Sequence, residues 1–280
     1  MPGPALVLVS SLSLQLGTAL AKTMFAVVGV VGVVVMRTVF SALVLWVVTR
    51  PKVRAYSARQ WRYAVLLGLT SCGMFLAFYA AAERIPIGVA VAIEFLGPIT
   101  VAVVGVRRAG HLVWPMLAYG GVLLLSPLHG LGHLDGAGVV FALLAACGWA
   151  AYIVLMARTS GGFAGADGLA LAMVCSAVAT LPLLFFAGPT GFGDGSLLPR
   201  GFVVALLSVA VPFWLEFLVL RSMSQRVFGV LLSGEPALAA VVGLVALGEV
   251  LSGVEWLAIG LVTAASVGVM VDRKNEERLL

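Results

Sequence analysis

The sequence predicts an all-α polytopic membrane protein with ten transmembrane helices, arranged as two inverted five-helix repeats. Three observations support this fold class. Of 280 residues, 62% are hydrophobic and only 10% are charged. Clusters of charge separate apolar runs of helical length, and a segment of the first half is similar to one of the second half. A soluble domain of this length needs more surface charge, so we expect the lipid bilayer to surround most of the chain.

The individual spans follow from the apolar runs between charged clusters. A membrane-spanning helix needs about 20 mostly apolar residues, and the runs lack the alternation of barrel strands, which favours helices. The amino terminus lacks a basic leader and a clear cleavage site, so we expect an uncleaved first span. Some spans are short or closely spaced, so nine remains an alternative to ten. The predicted spans are 4–21, 27–49, 61–81, 87–106, 112–128, 136–158, 166–187, 201–220, 227–247 and 252–271.

The orientation follows from the distribution of Lys and Arg. The loop 50–62 carries five of them, which indicates a cytoplasmic loop. With ten spans, thirteen basic residues share that side, three (Lys22, Arg84 and Arg200) lie on the other, and Arg37 lies within a span. Both termini are therefore predicted to be cytoplasmic, in a bacterial cytoplasmic membrane. The same distribution explains the net charge of +5 without a nucleic-acid partner.

An internal duplication divides the ten spans into five plus five. Residues 79–105 align with 217–243 at an offset of 138, which places Pro98 opposite Pro236, although only six of 27 positions are identical. Two copies with an odd number of spans insert in opposite orientations, and such inverted repeats recur in secondary transporters. We expect the first repeat to cover 1–134 and the second 135–280. The alternative is that Pro and Gly are simply tolerated in membrane helices.

Four charged residues lie deep within predicted spans: Arg37, Glu94, Glu216 and Glu235. Each costs about 2.5–3.5 kcal/mol in lipid, so such residues usually face an interior pathway. In the alignment Glu94 lies about one helical turn from the position equivalent to Glu235, so both can approach one cavity. One arginine cannot neutralise three carboxylates, and burial favours the protonated form, which suggests a proton carrier. The alternative is that Arg37 pairs with a glutamate and only locks helices together.

Other residues extend this predicted pathway. Gln15, in the first span, needs a polar partner in lipid. Proline removes a helix donor, and Pro98 and Pro212 each lie four residues from a glutamate. The candidates for helix breaking or gating are Pro98, Pro212, Pro236 and Gly97. Aromatic residues that could line the cavity, or instead pack or face lipid, are Phe40, Phe78, Tyr79, Trp149, Tyr152 and Trp214.

Signals for cofactors are weak. His129 and His133 have the spacing of helical metal ligands, but the surrounding glycines predict a loop, so we expect no metal. Cys72, Cys147 and Cys175 fall within spans without a CxxC motif, so we expect no disulfide. No phosphate-binding loop, HExxH or GxSxG motif is present in the sequence. We therefore predict no cofactor and no enzymatic activity.

Three segments carry a family resemblance: "SLQLGTALAKTMF" (13–25), "AAERIPIGVAVAIEFLGPITVAV" (81–103) and "VPFWLEFLVLRSMSQRVFGVLLSGEPALAAVVGLVALGE" (211–249). With the repeat and the span order, the chain resembles the drug/metabolite transporter superfamily with two EamA-type halves, and within it the bacterial threonine/homoserine exporters. The resemblance implies a cavity between two four-helix halves, a peripheral fifth span in each repeat, and alternating access driven by proton exchange.

We therefore predict a secondary transporter that exports amino acids such as threonine or homoserine. Its expected partners are a small-molecule substrate, protons and the lipid bilayer. One alternative is import or exchange of another small polar metabolite or drug. A less favoured alternative is a polytopic membrane enzyme, which would need catalytic groups such as histidine at membrane depth, and the predicted spans contain no histidine. The sequence does not indicate an oligomeric state.

Overall fold

A computed structural model describes residues 3–103, 113–124, 134–160, 162–164, 166–185, 195–212, 215 and 231–277. Within these ranges all regular structure is helical and there is no strand. Short 3-10 segments occupy Val53–Ala55 and Leu181–Phe185, and a π-helical segment, Leu206–Ala210, continues α8. The α-helices are α1 (Gly3–Thr49), α2 (Ala58–Arg84), α3 (Ile87–Glu94), α4 (Leu96–Val103), α5 (Val113–Leu124), α6 (Gly136–Ser160), α7 (Asp167–Thr180), α8 (Leu197–Ala205), α9 (Glu235–Leu247) and α10 (Gly253–Glu277).

Helix α1 contains the first two predicted spans and bends sharply at Gly29. The φ and ψ angles of Gly29 are 68° and 168°, a region that essentially only glycine occupies. Ser10 donates a hydrogen bond to the carbonyl of Pro212, and Met36 packs against Gly201. Ser10 and Met36 would be ~39 Å apart in a straight helix, whereas eleven helical residues span only ~16 Å. The two halves of α1 therefore fold back on each other at Gly29.

The fourth predicted span consists of α3 and α4, which meet at Phe95. Pro98 has no N–H, so the carbonyl of Glu94, four residues earlier, loses its usual helical partner. The helix is therefore interrupted next to the Glu94 carboxylate. In the ninth predicted span, α9 begins at Glu235 with Pro236 in its first turn, where proline is well tolerated.

The length and composition of the helices identify a multi-pass membrane protein. Among the described residues, four helices are long and apolar enough to cross a bilayer: Pro4–Thr49, Ala58–Arg84, Gly136–Thr159 and Asp167–Phe185. The other apolar helices are shorter. Large apolar side chains such as Val47, Leu123 and Val245 are more than half exposed on the outside of the bundle. Lipid tails are the environment in which such a surface is stable.

The helices pack in a pattern that pairs the two halves of the chain. The first half of α1 contacts α9 and the helix formed by α8 with its π-helical extension, while α6 contacts α2, α3 and α4. The second half of α1 contacts α7 through a 2.9 Å hydrogen bond between Thr38 and Thr180. Helix α3 contacts α9, and α5 contacts α10. In terms of the predicted spans, these contacts join span 1 to spans 8 and 9, span 6 to spans 3 and 4, span 2 to span 7, span 4 to span 9, and span 5 to span 10. Exchanging each span of the first half with the corresponding span of the second half gives the same set of contacts.

Candidate functional site

A cavity of about 320 Å³ lies at the centre of the bundle. Its volume is in the range of pockets that hold small molecules. It is lined from both halves of α1, from α2, α3, α6 and α7, from the helix that α8 begins, and from the start of α9. None of its described lining residues belongs to α5 or α10, which therefore lie outside the cavity wall.

Three of the four predicted intramembrane charges line this cavity together with Gln15: Arg37, Glu94 and Glu235. Arg37 and Glu235 are each 7% exposed, and Glu94 is partly exposed. The bend in α1 places Arg37 and Gln15 in the wall of the same cavity, and the contact between α3 and α9 brings in the two glutamates. One cation and two carboxyl groups thus share a small, largely apolar space.

The Arg37 guanidinium is held by aromatic rings. Its central carbon lies 4.1 Å from the centroid of the Phe75 ring and 5.3 Å from that of Tyr79. Such cation–π contacts stabilise a desolvated guanidinium by about 2 kcal/mol. Within the described part of the chain, Arg37 forms no ion pair and its Nε has no hydrogen-bond partner. The helix-locking pair with Glu94 or Glu235 is therefore not formed.

The Glu235 carboxylate has a hydrogen-bond donor that the sequence did not indicate. Ser11 Oγ donates to Glu235 Oε1 at 3.0 Å, and Ser11 is 3% exposed. Glu235 is also the first residue of α9, where the helix dipole favours a negative charge. Both features stabilise a carboxylate at this depth.

Ser11 belongs to a row of polar side chains along α1, which we call the polar stripe: Ser11, Gln15, Thr18 and Lys22. Spacings of four, three and four residues place them on one face of the helix. Gln15 and Thr18 line the cavity, and Gln15 Oε1 has no hydrogen-bond partner among the described residues. The polar stripe therefore runs from Glu235, past the cavity, to one end of the bundle.

Lys22 ends the polar stripe in an ion pair with Glu249. Lys22 Nζ lies 2.7 Å from Glu249 Oε1 and also donates to the carbonyl of Ile85 at 3.0 Å. Glu249 Oε2 accepts from the backbone N–H of Ile87 at 2.9 Å. Sequence reasoning placed Lys22 in a loop and did not single out Glu249. The only available signal was the helical spacing from Gln15 to Lys22.

Three of the predicted aromatic residues, Phe78, Trp149 and Tyr152, line the cavity. The Trp149 ring stands perpendicular to that of Phe95 at 5.0 Å between centroids. Phe40 does not reach the cavity and instead packs edge-to-face against Phe202. Tyr79 is fully buried behind the wall, in contact with Phe25 and Phe78.

Among the predicted helix-breaking residues, Pro212 lines the cavity. Gly97 packs directly against the Ala146 carbonyl of α6, so its missing side chain permits a close helix crossing. The predicted site residues Glu216 and Trp214, and the loop histidines His129 and His133, lie outside the described residues. The described residues contain no group of three or more side chains that could hold a metal ion.

A second polar network lies at the end of the bundle opposite Lys22. The Tyr56 hydroxyl donates to Asp167 Oδ2 at 2.5 Å, and the Tyr56 ring packs against Phe163. The hydrogen bond to Asp167, with a smaller contribution from burial, raises the pKa of Tyr56 above its ordinary value of 10.0. Gln60 donates to the Gly162 carbonyl nearby. These contacts tie the loop after α1 and the start of α2 to the segment between α6 and α7 and to the start of α7.

Comparison with known proteins places this architecture in a recognised group. Residues 136–271 match the EamA-like transporter family. The threonine/homoserine exporter RhtA of Salmonella typhimurium (strain LT2) is 36% identical over 278 residues, which cover 99% of this chain and 94% of the relative. The exporter of the same name from Escherichia coli (strain K12) is 35% identical over 98% of this chain and 93% of its own. A crystal structure of another protein matches with a TM-score of 0.64 over 98% of this chain and 99% of its own, at 18% identity, which supports the fold alone.

Proposed function

Since the chain belongs to the EamA-like transporter family, whose members are membrane transporters rather than enzymes, we propose that it exports threonine, homoserine or related small amino acids by proton antiport. The observation that carries this proposal is the central cavity, which combines one arginine with two glutamates. The names of the similar exporters support the direction and the substrate class.

The proposed architecture is ten transmembrane helices in two inverted repeats, 1–134 and 135–280. The symmetric exchange of helix contacts supports it, because an inverted pair of five-helix units produces that pattern. The absence of α5 and α10 from the described cavity wall fits a peripheral fifth helix in each repeat. The Lys and Arg distribution supports cytoplasmic termini in a bacterial cytoplasmic membrane.

A zwitterionic amino acid complements the charges of this cavity. Its carboxylate fits the Arg37 guanidinium, whose planar donors match a carboxylate geometry. Its ammonium group fits Glu94 or Glu235, and Gln15 offers an amide to a side-chain hydroxyl. The remaining wall is mostly aromatic and aliphatic, which excludes water and strengthens each polar contact.

Competition for a carboxylate couples the substrate to protons. A glutamate binds the ammonium group only when it is deprotonated, so substrate and proton exclude each other at that oxygen. The carrier loads the amino acid from the cytoplasm, opens outward and releases it, and then accepts a proton in its place. The protonated carrier reorients inward and loses the proton to the cytoplasm. Each cycle moves one amino acid out and one proton in.

The test is substrate counterflow in proteoliposomes, measured for a panel of amino acids with and without a pH gradient. Glu94→Gln and Glu235→Gln keep the shape of the side chain but cannot release a proton. We expect at least one of them to abolish the dependence of flux on the pH gradient. Glu255→Gln is the matched control, because that buried glutamate lies in α10 and accepts from the backbone of Ser252, away from the cavity.

The outcomes separate the parts of the proposal. Proton coupling fails if both cavity variants transport like the parent with unchanged pH dependence. The substrate class fails if the parent transports no amino acid of the panel, and uptake against the expected direction would favour an importer or exchanger of another metabolite. Arg37→Met should insert normally and lose flux if Arg37 holds the substrate carboxylate. Reduced expression instead would assign Arg37 a structural role.

A further inference from the structure

The cavity and the Lys22–Glu249 ion pair are connected along a single helix face. The polar stripe presents Ser11 to Glu235, then Gln15 and Thr18 to the cavity, and finally Lys22 to Glu249. Each member lies about one helical turn from the next. A polar group moving from Glu235 toward Glu249 therefore has a polar neighbour at every turn of α1.

The ion pair joins three parts of the chain that are distant in sequence. Lys22 belongs to α1, Ile85 and Ile87 flank the junction between α2 and α3, and Glu249 follows α9. The pair is largely shielded, with side-chain exposures of 21% for Lys22 and 13% for Glu249. The hydrogen bonds from Lys22 to Glu249 and to the Ile85 carbonyl, and from the Ile87 N–H to Glu249, each involve a charged group. Such charge-assisted hydrogen bonds are roughly twice as strong as neutral ones.

The same end of the bundle is closed by tight packing. Helices α3 and α9 cross so closely that a Cβ atom on Gly88 would lie 2.5 Å from the Cα atom of Ala240. Glu249 itself lies over Gly243, and Ile85 and Ile87 are at most 1% exposed. Opening the cavity at this end therefore requires α1, α3 and α9 to separate, which breaks the ion pair.

We propose that Lys22 and Glu249 form the outer gate of the cavity and that the polar stripe of α1 is the exit route. The inference rests on the proposed export function and extends it to residues outside the cavity. The pair holds the outer end closed in the empty carrier. An ammonium group leaving Glu235 along the polar stripe meets Glu249 and replaces Lys22 as its cation, so the departing substrate itself releases the gate.

The experiment measures access to the cavity and does not depend on flux. The native cysteines Cys72, Cys147 and Cys175 are replaced by alanine, and Thr18→Cys is introduced as a reporter in the cavity wall. The rate of its modification by a membrane-impermeant methanethiosulfonate reagent is measured from the outer face of right-side-out vesicles. Val91→Cys, on the α3 side of the cavity, serves as a second reporter.

We expect Lys22→Met and Glu249→Gln each to raise the outer modification rate about tenfold, the range of a coupling between a gate and a site. The charge-swapped double variant, Lys22→Glu with Glu249→Lys, should bring the rate back toward that of the parent. Arg84→Met is the matched control, because it removes exposed ion pairs with Glu83 and Asp135 on the same side. An exposed pair contributes little, so its rate should stay within about twofold.

The gate is refuted if both single variants leave the outer rate at either reporter unchanged. It is also refuted if the rate rises only from the side of the termini, since the pair would then close the other end. Failure of the parent to transport amino acids would refute the proposed function while leaving the accessibility result intact. The two conclusions can therefore fail separately.

Discussion

The crossing of α3 and α9 gives a steric prediction whose size follows from the structure. In Gly88→Ala, the new methyl carbon would lie 2.5 Å from Ala240 Cα and 2.6 Å from Ala240 Cβ. Non-bonded carbon atoms settle at about 3.5–4.0 Å, so the helices must part by ~1 Å. The opposing atoms are backbone or Cβ atoms that cannot rotate away. Overpacking of this kind costs about 1–3 kcal/mol.

The assay is the apparent Tm of the detergent-solubilised protein, followed by the loss of monodisperse protein on heating. Gly73→Ala is the control, because its methyl group would meet nothing within 4 Å on α2. Alanine is favoured over glycine in a helix by about 0.8–1.0 kcal/mol. The overpacking and the propensity gain leave a net cost of about 0–2 kcal/mol for Gly88→Ala, so we expect it to lower the Tm by up to about 8 °C, whereas Gly73→Ala should raise the Tm slightly.

Opposite shifts are the decisive result, because both substitutions improve helix propensity equally. If Gly88→Ala matches Gly73→Ala, α3 and α9 do not cross at the described distance. The close crossing of α3 and α9 is one of the two observations that indicate a closed outer end, and it would then be lost. Only the ion pair would remain as the reason for closure.

Two further predictions concern polar contacts. Ser11→Ala should lower the Tm by the equivalent of about 1.5–3 kcal/mol in the free energy of unfolding, because it removes a donor from the buried Glu235 carboxylate. Ser71→Ala should leave the Tm nearly unchanged, because among the described residues the Ser71 hydroxyl bonds only to the Leu67 carbonyl of its own helix. Tyr56→Phe removes the hydrogen bond to Asp167. Because the pKa of Tyr56 is raised, that bond stabilises the parent fully below pH 10.0 and is lost as the pH rises through the raised value. A Tm series should show this alkaline decline in the parent and not in the variant, and equal declines would contradict it.

The helices could be predicted because apolar runs of sufficient length have few alternatives in a bilayer. The break between α3 and α4 could also be predicted, since Pro98 lacks the N–H that would donate to the Glu94 carbonyl in a helix. The position of the bend in α1 could not be predicted from the sequence. We predicted a loop at 22–26, whereas the helix continues to Gly29, and Gly32 is an equally good candidate by sequence. Which glycine bends depends on the packing of Ser10 and Met36 against one neighbouring helix.

The location of the intramembrane charges could be predicted from the energetic cost of placing a charge in lipid. Exposing Arg37, Glu94 or Glu235 to lipid would cost several kcal/mol, so we expected the three side chains to face a shared interior space. All three line the cavity. Lys22 and Glu249 lie at the ends of predicted spans, where a charge costs little free energy. The surrounding sequence therefore gave no reason to assign them a functional role. Their pairing across 227 positions is a property of the tertiary fold. The side-chain direction of an aromatic residue is likewise set by packing, which is why Phe78 lines the cavity and Phe40 does not.

The outer gate has no counterpart at the positions that the exchange of the two repeats relates to it. At the repeat offset of 138 residues, Lys22 corresponds to Ser160 and Glu249 to His111, so no Lys–Glu pair occupies the equivalent positions. Two inverted repeats alone would make the outward-closed and inward-closed states nearly equal in energy. Among the residues that the structure describes, a shielded ion pair lies at the outer end alone, and it favours the state in which that end is closed. An exporter benefits from this bias, because its empty cavity then faces the cytoplasm, where the substrate is loaded, and opens outward only when a cationic group reaches Glu249.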